Sequence, residues 1–419
     1  MKSILLTVVS SLLFMCGLGA SSLFGQHIWT NQYTGATSSL NDISFADTSN
    51  GWAVGFSGTI VHTTDGGASW GSQTAPNGGT LNGVYSVNAN ECWAVAGNET
   101  IIHTSAGGAN WEIQHEGSGA SSGYLQDILF VNADTGWAVG SDRLVLYTDD
   151  GGATWTEQNS SNSGGFEAIA AGDAQNLWAV GDDFDGGSTV GLILHSSDGG
   201  NSWQEQDSGL EESLYGVCFV DNTHGWAVGN GGSVIATSDG GATWTQQTSA
   251  VDNMLQAVDF LDANIGIAVG VYASQYTMDG GATWSEDDAS GQINGIEYVD
   301  TNHIWTAGNS GTVLFSSGIT TDIQSEDGMT VPARFSLQQN YPNPFNPETT
   351  IQYSLPTESD IAITVYNARG QAVQNVIKSG QGAGHHFVKF NGKSLPSGIY
   401  FYRIQAADFS QTRKMILLK

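Results

Sequence analysis

The sequence predicts an all-β protein, consisting of a seven-bladed β-propeller whose N-terminal strand closes the last blade, followed by a small immunoglobulin-like β-sandwich. Two repeated motifs and an offset between the ends of the repeat region indicate this fold. The first motif is an octapeptide, TSDGGATW at residues 237–244, with five close copies. Its tryptophan recurs at steps of 41, 44, 48, 41 and 40 residues, at Trp70, Trp111, Trp155, Trp203, Trp244 and Trp284. Repeats of about 40 residues with four short strands are typical of propeller blades.

The second motif, WAVG or a near copy, marks the second strand of each repeat. An apolar strand that ends in Asp or Asn precedes it, such as Leu40–Asp47, and a third strand like Thr59–His62 follows it. The fourth strand comes after the octapeptide. The second motif begins seven times, at Trp52, Trp93, Trp137, Trp178, Trp226, Ile267 and Trp305. We therefore expect seven blades.

The two ends of the repeat region are offset in a way that predicts ring closure. The seventh unit stops near Phe315–Ser317 without the DGG turn or a fourth strand. The segment Ile28–Gln32 resembles the residues that follow the turn elsewhere. We expect this first strand to complete the seventh blade, which removes the open edges that a sheet would otherwise expose.

Composition divides the chain into two domains. Residues 26–318 carry 34 acidic residues and a single basic one, Arg143, whereas residues 319–419 carry nine basic and seven acidic residues. Lys2, an apolar run and then small residues indicate a secretory signal peptide at 1–25. We predict a propeller at 26–318, a polar linker at 319–331 and a second domain at 332–419. The acidity argues against a nucleic-acid partner, and no later apolar run is long enough to span a membrane.

The octapeptide resembles the Asp-box of sialidases, sortilin-type receptors and some β-glucanases. Its combination with GWAVG is most similar to the photosystem II assembly-factor type of propeller. The resemblance implies fold rather than activity, because Asp-boxes recur across unrelated functions. We expect the aspartates of the turn to accept hydrogen bonds from the turn itself. They are Asp65, Asp150, Asp198, Asp239 and Asp279.

The sequence predicts no catalytic residue, cofactor or metal site. A sialidase needs several arginines to hold the substrate carboxylate, and the propeller has only Arg143. The assembly-factor relatives are expected to carry a basic patch for their partner, which is missing here. The alternative is a secreted glycoside hydrolase that acts on a neutral polysaccharide through a pair of carboxylates in the propeller cleft.

Candidate binding residues lie on the loops opposite the Asp-box turns. Asp182, Asp183 and Asp185 precede two glycines in the insertion at 182–187. This loop could hold Ca²⁺, although a solvated acidic hairpin tip is the favoured interpretation. Arg143 could clamp an anion or pair with Asp142. Three tyrosines could stack on sugar rings or pack along the rim. They are Tyr124, Tyr215 and Tyr272.

The tail alternates short strands with turn signals, which predicts a small β-sandwich. Its motifs resemble the C-terminal sorting domain of type IX secretion cargo, which implies recognition by the outer-membrane translocon and release or anchoring at a Gram-negative cell surface. An ordinary immunoglobulin-like binding module is the alternative. The residues that carry the resemblance are Tyr341, Pro342, Asn343, Pro344, Phe345, Asn346, Pro347, Gly398, Tyr400 and Lys414.

These inferences predict a secreted or cell-surface, non-catalytic propeller that binds a glycan or a protein through its loop face.

Overall fold

The chain divides into two units, residues 26–319 and residues 320–419. The computed structural model describes residues 27–418 except 77, 118–122, 159–163, 186–187, 320–321, 325–329, 333–334, 338–339, 341–344, 346, 358, 383, 394 and 407–408. The signal peptide predicted at 1–25 lies outside the described residues.

The described part of the first unit forms seven four-stranded antiparallel sheets. The first three sheets are β2 (Leu40–Phe45), β3 (Gly51–Gly55), β4 (Thr59–Thr63) and β5 (Gly71–Thr74); β6 (Leu81–Ser86), β7 (Cys92–Ala96), β8 (Ile101–Thr104) and β9 (Glu112–His115); and β10 (Leu125–Phe130), β11 (Gly136–Gly140), β12 (Val145–Thr148) and β13 (Thr156–Gln158).

The next three sheets are β14 (Gly165–Ala171), β15 (Leu177–Asp185), β16 (Ser188–Ser196) and β17 (Gln204–Asp207); β18 (Leu214–Phe219), β19 (Gly225–Gly229), β20 (Val234–Thr237) and β21 (Thr245–Gln246); and β22 (Leu255–Phe260), β23 (Gly266–Gly270), β24 (Ser274–Thr277) and β25 (Ser285–Glu286). Single-turn 3₁₀ helices follow the second strand at Phe56–Gly58, Ser141–Arg143, Asn230–Gly232 and Asn309–Gly311.

The last sheet joins the two ends of this unit. It consists of β26 (Ile293–Asp300), β27 (His303–Gly308), β28 (Val313–Ile319) and the first strand, β1 (His27–Gln32). Trp29 pairs with Ser316, and Gln32 pairs with Val313. The innermost strands contact one another in chain order, and β26 contacts β2 to close the ring. The structure confirms the predicted all-β propeller fold, with the N-terminal strand in the last sheet.

Aromatic stacking fills the space between neighbouring sheets. At four of the interfaces the WAVG tryptophan of one sheet lies flat on the phenylalanine that ends the innermost strand of the next, as in Trp178 on Phe219 with ring centroids 3.6 Å apart. The Asp-box tryptophan Trp244 meets the same phenylalanine edge-on at 5.9 Å. The same stacking joins Trp226 to Phe260. Both tryptophan positions of the repeat therefore serve the contact between blades, where large aromatic rings bury most area.

A glutamine on or directly after the fourth strand links six of the seven blades to the next. The side-chain oxygen of Gln73 accepts from the indole nitrogens of Trp52 at 3.2 Å and Trp111 at 3.0 Å. Its amide nitrogen donates to the carbonyl oxygen of Gly107 in the next Asp-box at 2.8 Å. The amide-to-glycine bond recurs for Gln32, Gln114, Gln158, Gln206 and Gln247.

The link from the sixth blade to the seventh uses a different residue at this position. Asp287 replaces the glutamine and accepts from the indole nitrogen of Trp29 at 3.1 Å. The imidazole Nδ1 of His27 lies 3.0 Å from the same carboxylate oxygen, and both side chains are fully buried. The sixth blade is thus linked to the N-terminal strand of the seventh by an acid and a histidine, where the other blades use an amide.

The second unit contains two packed sheets. Its strands are β29 (Asp322–Gln324), β30 (Thr330–Pro332), β31 (Ser336–Leu337), β32 (Glu348–Leu355), β33 (Ser359–Asn367), β34 (Ala372–Gln381), β35 (Gly384–Asn391), β36 (Gly398–Ala406) and β37 (Phe409–Leu417). Sheets β31–β32–β35 and β34–β33–β36–β37 enclose a core that includes Tyr353, Ile363 and Tyr402. The small β-sandwich expected for this domain is present.

The segment expected to be a polar linker contains a short hairpin. Strands β29 and β30 pair antiparallel with Ile323 opposite Val331. Both residues are β-branched, which favours extended backbone even in a polar stretch.

Candidate ligand-binding site at the mouth of the channel

The two ends of the propeller ring carry different connections, because successive strands of a blade run in opposite directions. One end carries the segments that lead into the innermost strands, such as 33–39, and the second-to-third turns, such as Phe56–Gly58. We call it the mouth face. The other end carries the first-to-second turns, such as 46–50, and the Asp-box turns, such as 64–70. We call it the Asp-box face.

On the Asp-box face, the aspartates serve the turns that contain them. Asp239 accepts from the backbone N–H of Thr243 at 2.9 Å, from the Thr243 hydroxyl at 2.8 Å and from the Thr237 hydroxyl at 2.8 Å. These donors, the backbone N–H of Thr243 first, hold the pKa of Asp239 below its usual range. The same pattern occurs at Asp65, Asp150, Asp198 and Asp279.

On the mouth face, a cavity of about 540 Å³ opens into the central channel. One equivalent position of the seven innermost strands, the second residue of six of them and the third of β14, lines the cavity and forms a ring of seven side chains. Five are carboxamides, one is a carboxylate and one is a phenol. The seven residues are Asn41, Asn82, Gln126, Glu167, Tyr215, Gln256 and Asn294.

Most amide groups of this ring are fixed by the neighbouring blade. Asn41, Asn82 and Asn294 each donate from Nδ2 to the backbone carbonyl that starts the next innermost strand, at 2.8, 2.7 and 2.7 Å. Gln126 donates to the carboxylate of Glu167 at 2.9 Å. These bonds fix the orientation of each amide and leave its carbonyl oxygen as an acceptor for a ligand. The carboxamide of Gln256 makes no hydrogen bond to any other described residue.

Two aspartates, each the next residue along the strand after Asn41 and Gln126, connect adjacent blades. Asp42 accepts from the backbone N–H of Ile43 and of Val84, both at 2.8 Å, and Asp127 does the same with Ile128 and Ile169. Burial, and then the nearby charge of Asp127, raises the pKa of Asp42 to about 8 despite these donors. Burial raises the pKa of Asp127 to about 6. Desolvation therefore outweighs hydrogen bonding at both carboxyl groups.

A second group of acidic side chains lies on the innermost strands of the sixth and seventh blades. Asp259 accepts from the N–H of Phe260 at 2.8 Å, from the N–H of Tyr298 at 2.7 Å and from the Cys218 thiol at 3.4 Å. Burial, and then the charge of Asp259, raises the pKa of Glu297. Burial also raises the pKa of the Cys218 thiol, with a further contribution from Asp259. The thiol is thus kept protonated rather than reactive.

The predicted residues Arg143, Asp182 and Asp183 form contacts within the protein. Arg143 is 8% exposed and lies 2.7 Å from the carboxylate of Asp183 in the next blade. The sequence suggested Asp142 as its partner, but this ion pair bridges two blades instead. Asp182 accepts from the hydroxyl of Ser213 at 3.2 Å. The insertion extends β15 and β16, and Gly186, Gly187 and the side chain of Asp185 lie outside what the structure describes.

The three predicted tyrosines occupy different places on the mouth face. Tyr124 and Tyr272 are 64% and 73% exposed, whereas Tyr215 lines the cavity. Sequence reasoning missed Phe56, which is half-exposed at the edge of the same cavity. It also missed the ring of carboxamides. An alignment of the seven innermost strands with one another is the signal that could have found the ring.

The described residues contain no group of three or more His, Cys, Asp or Glu side chains arranged to hold a metal ion. No helix among the residues that the structure covers is long and apolar enough to cross a membrane.

The sorting motif is partly described. Tyr341, Pro342, Asn343, Pro344 and Asn346 lie outside the described residues. Phe345 is buried, and its backbone bonds to Ile416 and Leu418 at 2.9 Å on both sides of Leu417. The hydroxyl of Tyr400 donates to the carbonyl of Pro396 at 2.7 Å. The carbonyl of Pro347 accepts from the backbone N–H of Gly392. Gly398 is the first residue of β36, and the side chain of Lys414 is exposed. Phe345 and Tyr400 thus anchor the motif within the sandwich.

Comparison with protein families identifies both units. The family described as photosynthesis system II assembly factor YCF48 matches residues 23–117, 120–208 and 201–296. The secretion system C-terminal sorting domain matches residues 339–418. No curated protein matches the chain.

Solved structures show the same fold at low sequence identity. YCF48 bound to D1 peptide has a TM-score of 0.58 at 21% identity, covering 69% of this chain and 96% of that one. YCF48 from Cyanidioschyzon merolae has a TM-score of 0.57 at 20% identity, covering 69% and 98%. PorZ, a surface component of the type IX secretion system of Porphyromonas gingivalis, has a TM-score of 0.53 at 13% identity, covering 90% of this chain and 60% of that one.

Proposed function

Because the chain belongs to the photosynthesis system II assembly factor YCF48 family, and ends in a secretion sorting domain, we propose that it is a non-catalytic propeller that binds a glycan or a protein through its mouth face. The sorting domain makes it a secreted or cell-surface protein that interacts with the type IX secretion system.

One observation carries the proposal: a polar cavity and exposed aromatic side chains lie together on the mouth face. The cavity holds the ring of seven side chains defined above. Tyr33, Phe56, Tyr124 and Tyr272 are at least half-exposed on the same face. A concave polar site with aromatic neighbours is the arrangement that ligand sites favour. The Asp-box face, in contrast, uses its polar groups within the turns.

One solved structure of the same fold is bound to a D1 peptide, so a peptide belongs among the ligands that the binding test includes. Its partner does not transfer to this chain, because the likeness at 21% identity supports the fold alone. Arg143 is moreover the single basic residue of 26–318 and is engaged by Asp183.

The alternative is a hydrolase of neutral polysaccharides. One observation speaks for it: the carboxyl groups of Asp42, Asp127 and Glu167 line the cavity. Against it, Asp42 and Asp127 each use both carboxylate oxygens to hold the backbone of two blades. A carboxyl group whose two oxygens both accept from backbone N–H groups is poorly placed to exchange protons with a substrate.

The test blocks one face at a time in the full secreted chain. Tyr272→Cys on the mouth face and Met278→Cys on the Asp-box face are each coupled to a bulky polyethylene glycol maleimide. The native Cys92 and Cys218 carry raised pKa values, so they compete poorly for the reagent. Binding to glycan arrays and to surface extracts of the producing cells is then compared.

We expect the label at position 272 to reduce binding and the label at position 278 to leave it unchanged. Equal binding by both labelled proteins would overturn the assignment of the mouth face. Release of new reducing ends from a bound polysaccharide would replace the binding function with the hydrolase alternative.

A further inference from the structure

The mouth cavity has a chemical character that narrows the ligand. It is lined by polar side chains from all seven blades and by two aromatic rings from different blades, Phe56 and Tyr215. Phe56 belongs to the 3₁₀ turn of the first blade, and Tyr215 belongs to the innermost strand of the fifth. Rings of this kind pack against the C–H faces of sugars as well as against apolar side chains.

The oxygen atoms of the ring are positioned in advance. The NH₂ groups of Asn41, Asn82 and Asn294 are bonded to the neighbouring strands, which fixes each side-chain amide. Their carbonyl oxygens accept no hydrogen bond from another described residue. Preorganised acceptors cost little side-chain entropy on binding. They suit a ligand that carries several hydroxyl donors.

The charge of the cavity excludes one class of ligand. Asp42, Asp127 and Glu167 line it, and the described lining residues include no Lys, Arg or His. Asp42, with a pKa of about 8, is mainly protonated at pH 7, but a carboxylate, sulfate or phosphate on the ligand would still face the negative charge of Asp127, whose pKa is about 6, with no cation among the described lining residues to offset it. Acidic sugars are therefore disfavoured, and a neutral hydroxyl-rich ligand is accommodated.

We propose that the mouth cavity binds one unit of a neutral glycan, which lies against Phe56 and Tyr215 and donates its hydroxyl protons to the carboxamide oxygens of the ring. The proposal rests on the function assigned above to the mouth face and names the chemical class of its ligand. A peptide that presents apolar anchors finds few apolar partners in this polar lining. A peptide ligand is one of the outcomes that the test distinguishes.

The experiment presents the full secreted chain to an array of neutral, uronate-containing, sulfated and sialylated glycans and measures the affinity of hits by calorimetry. We expect neutral glycans to bind and their acidic counterparts to bind at least ten-fold more weakly. Phe56→Ala is expected to weaken binding of a neutral glycan at least ten-fold. Met278→Ala, which truncates an exposed apolar side chain on the Asp-box face, is the matched control and leaves the affinity unchanged.

Gln256→Leu provides a second variant that preserves side-chain volume. Since Gln256 bonds to no other described residue, its replacement spares the contacts between blades. We expect it to weaken glycan binding about ten-fold with unchanged thermal unfolding, as for the loss of one hydrogen-bonding group.

Binding of acidic glycans as tight as that of neutral ones, or a Phe56→Ala affinity equal to wild type, would overturn the inference. A blank array combined with a protein ligand blocked by the label at position 272 would overturn it too, while leaving the proposed function intact. If no glycan bound and the label at position 272 blocked no protein ligand, both this inference and the proposed function of the mouth face would be wrong.

Discussion

The two faces of the propeller use the same residue types for opposite purposes. On the Asp-box face, aspartates lie at the surface, accept bonds from their own turn and have lowered pKa values. Inside the mouth, Asp42 and Asp127 accept bonds from two blades and have raised pKa values. Glutamines at one end complete their bonds with tryptophan and glycine, whereas the carboxamides at the other end leave oxygens available. A face whose polar groups are satisfied internally serves as scaffold, and the face with available groups is the one that can bind.

The largest effect is expected from the aromatic contact between blades. Trp178→Ala removes a fully buried ring that stacks on Phe219 at 3.6 Å. We expect it to lower the free energy of unfolding by about 3–5 kcal/mol, measured by urea denaturation. A loss below about 1 kcal/mol would show that the sheets do not depend on this stacking.

The next effect tests the glutamine link. Gln247→Leu leaves the indole N–H of Trp284 without its partner and removes one of the two donors to the carbonyl of Gly280, which keeps the bond from Trp226, and we expect a loss of about 2 kcal/mol. Gln246→Leu, on the adjacent exposed position of β21, is the control and changes stability by less than about 0.5 kcal/mol. Equal losses in the two variants would contradict a specific link.

The opposite pKa shifts predict opposite pH responses. The pKa of Asp42 rises from 3.8 to about 8 on folding, so between these values the folded protein keeps a proton that the unfolded chain has released. Its contribution to stability is complete below about pH 4 and declines as the pH rises to about 8. For Asp65 the folded pKa is lowered, so its contribution is present above its unfolded pKa and is lost only as the pH falls through the folded value.

We therefore expect the stability of the wild-type chain to decline between pH 5 and pH 8, and Asp42→Asn to flatten this slope. Asp65→Asn lowers stability at pH 7 without changing the slope. Chemical denaturation at several pH values measures both. A slope that Asp42→Asn leaves unaltered would contradict the role assigned to this carboxyl group.

The smallest effect on stability is expected on the mouth face itself. Tyr272→Ala truncates a side chain that is 73% exposed, so the free energy of unfolding changes by less than about 0.5 kcal/mol. If its thermal unfolding shifted as much as that of Gln247→Leu, the rim would be part of the scaffold rather than a surface for ligands.

Local motifs made much of the fold predictable. The Asp-box turn is held by bonds between residues two to four positions apart, such as Asp239 with Thr237 and Thr243, and its glycines take positive φ. Strand order follows from the period of the repeat, and the offset of its ends predicts that β1 joins β28. The candidate site was harder to predict from the sequence. Tyr215 was identified, but Phe56 and the carboxamides were not, because each looks like an ordinary strand or turn residue within its own repeat.

The sequence by itself determined the all-β propeller, its closure by the N-terminal strand and the sorting domain, since periodicity and short-range turn chemistry encode them. Only the tertiary structure decided which side chains meet across blades. Arg143 contacts Asp183, 40 residues away, and the ring at the mouth draws one residue from each of seven blades between Asn41 and Asn294. Such contacts depend on how the sheets twist and pack around a common axis. The alternation of apolar and polar residues along one strand does not specify that packing.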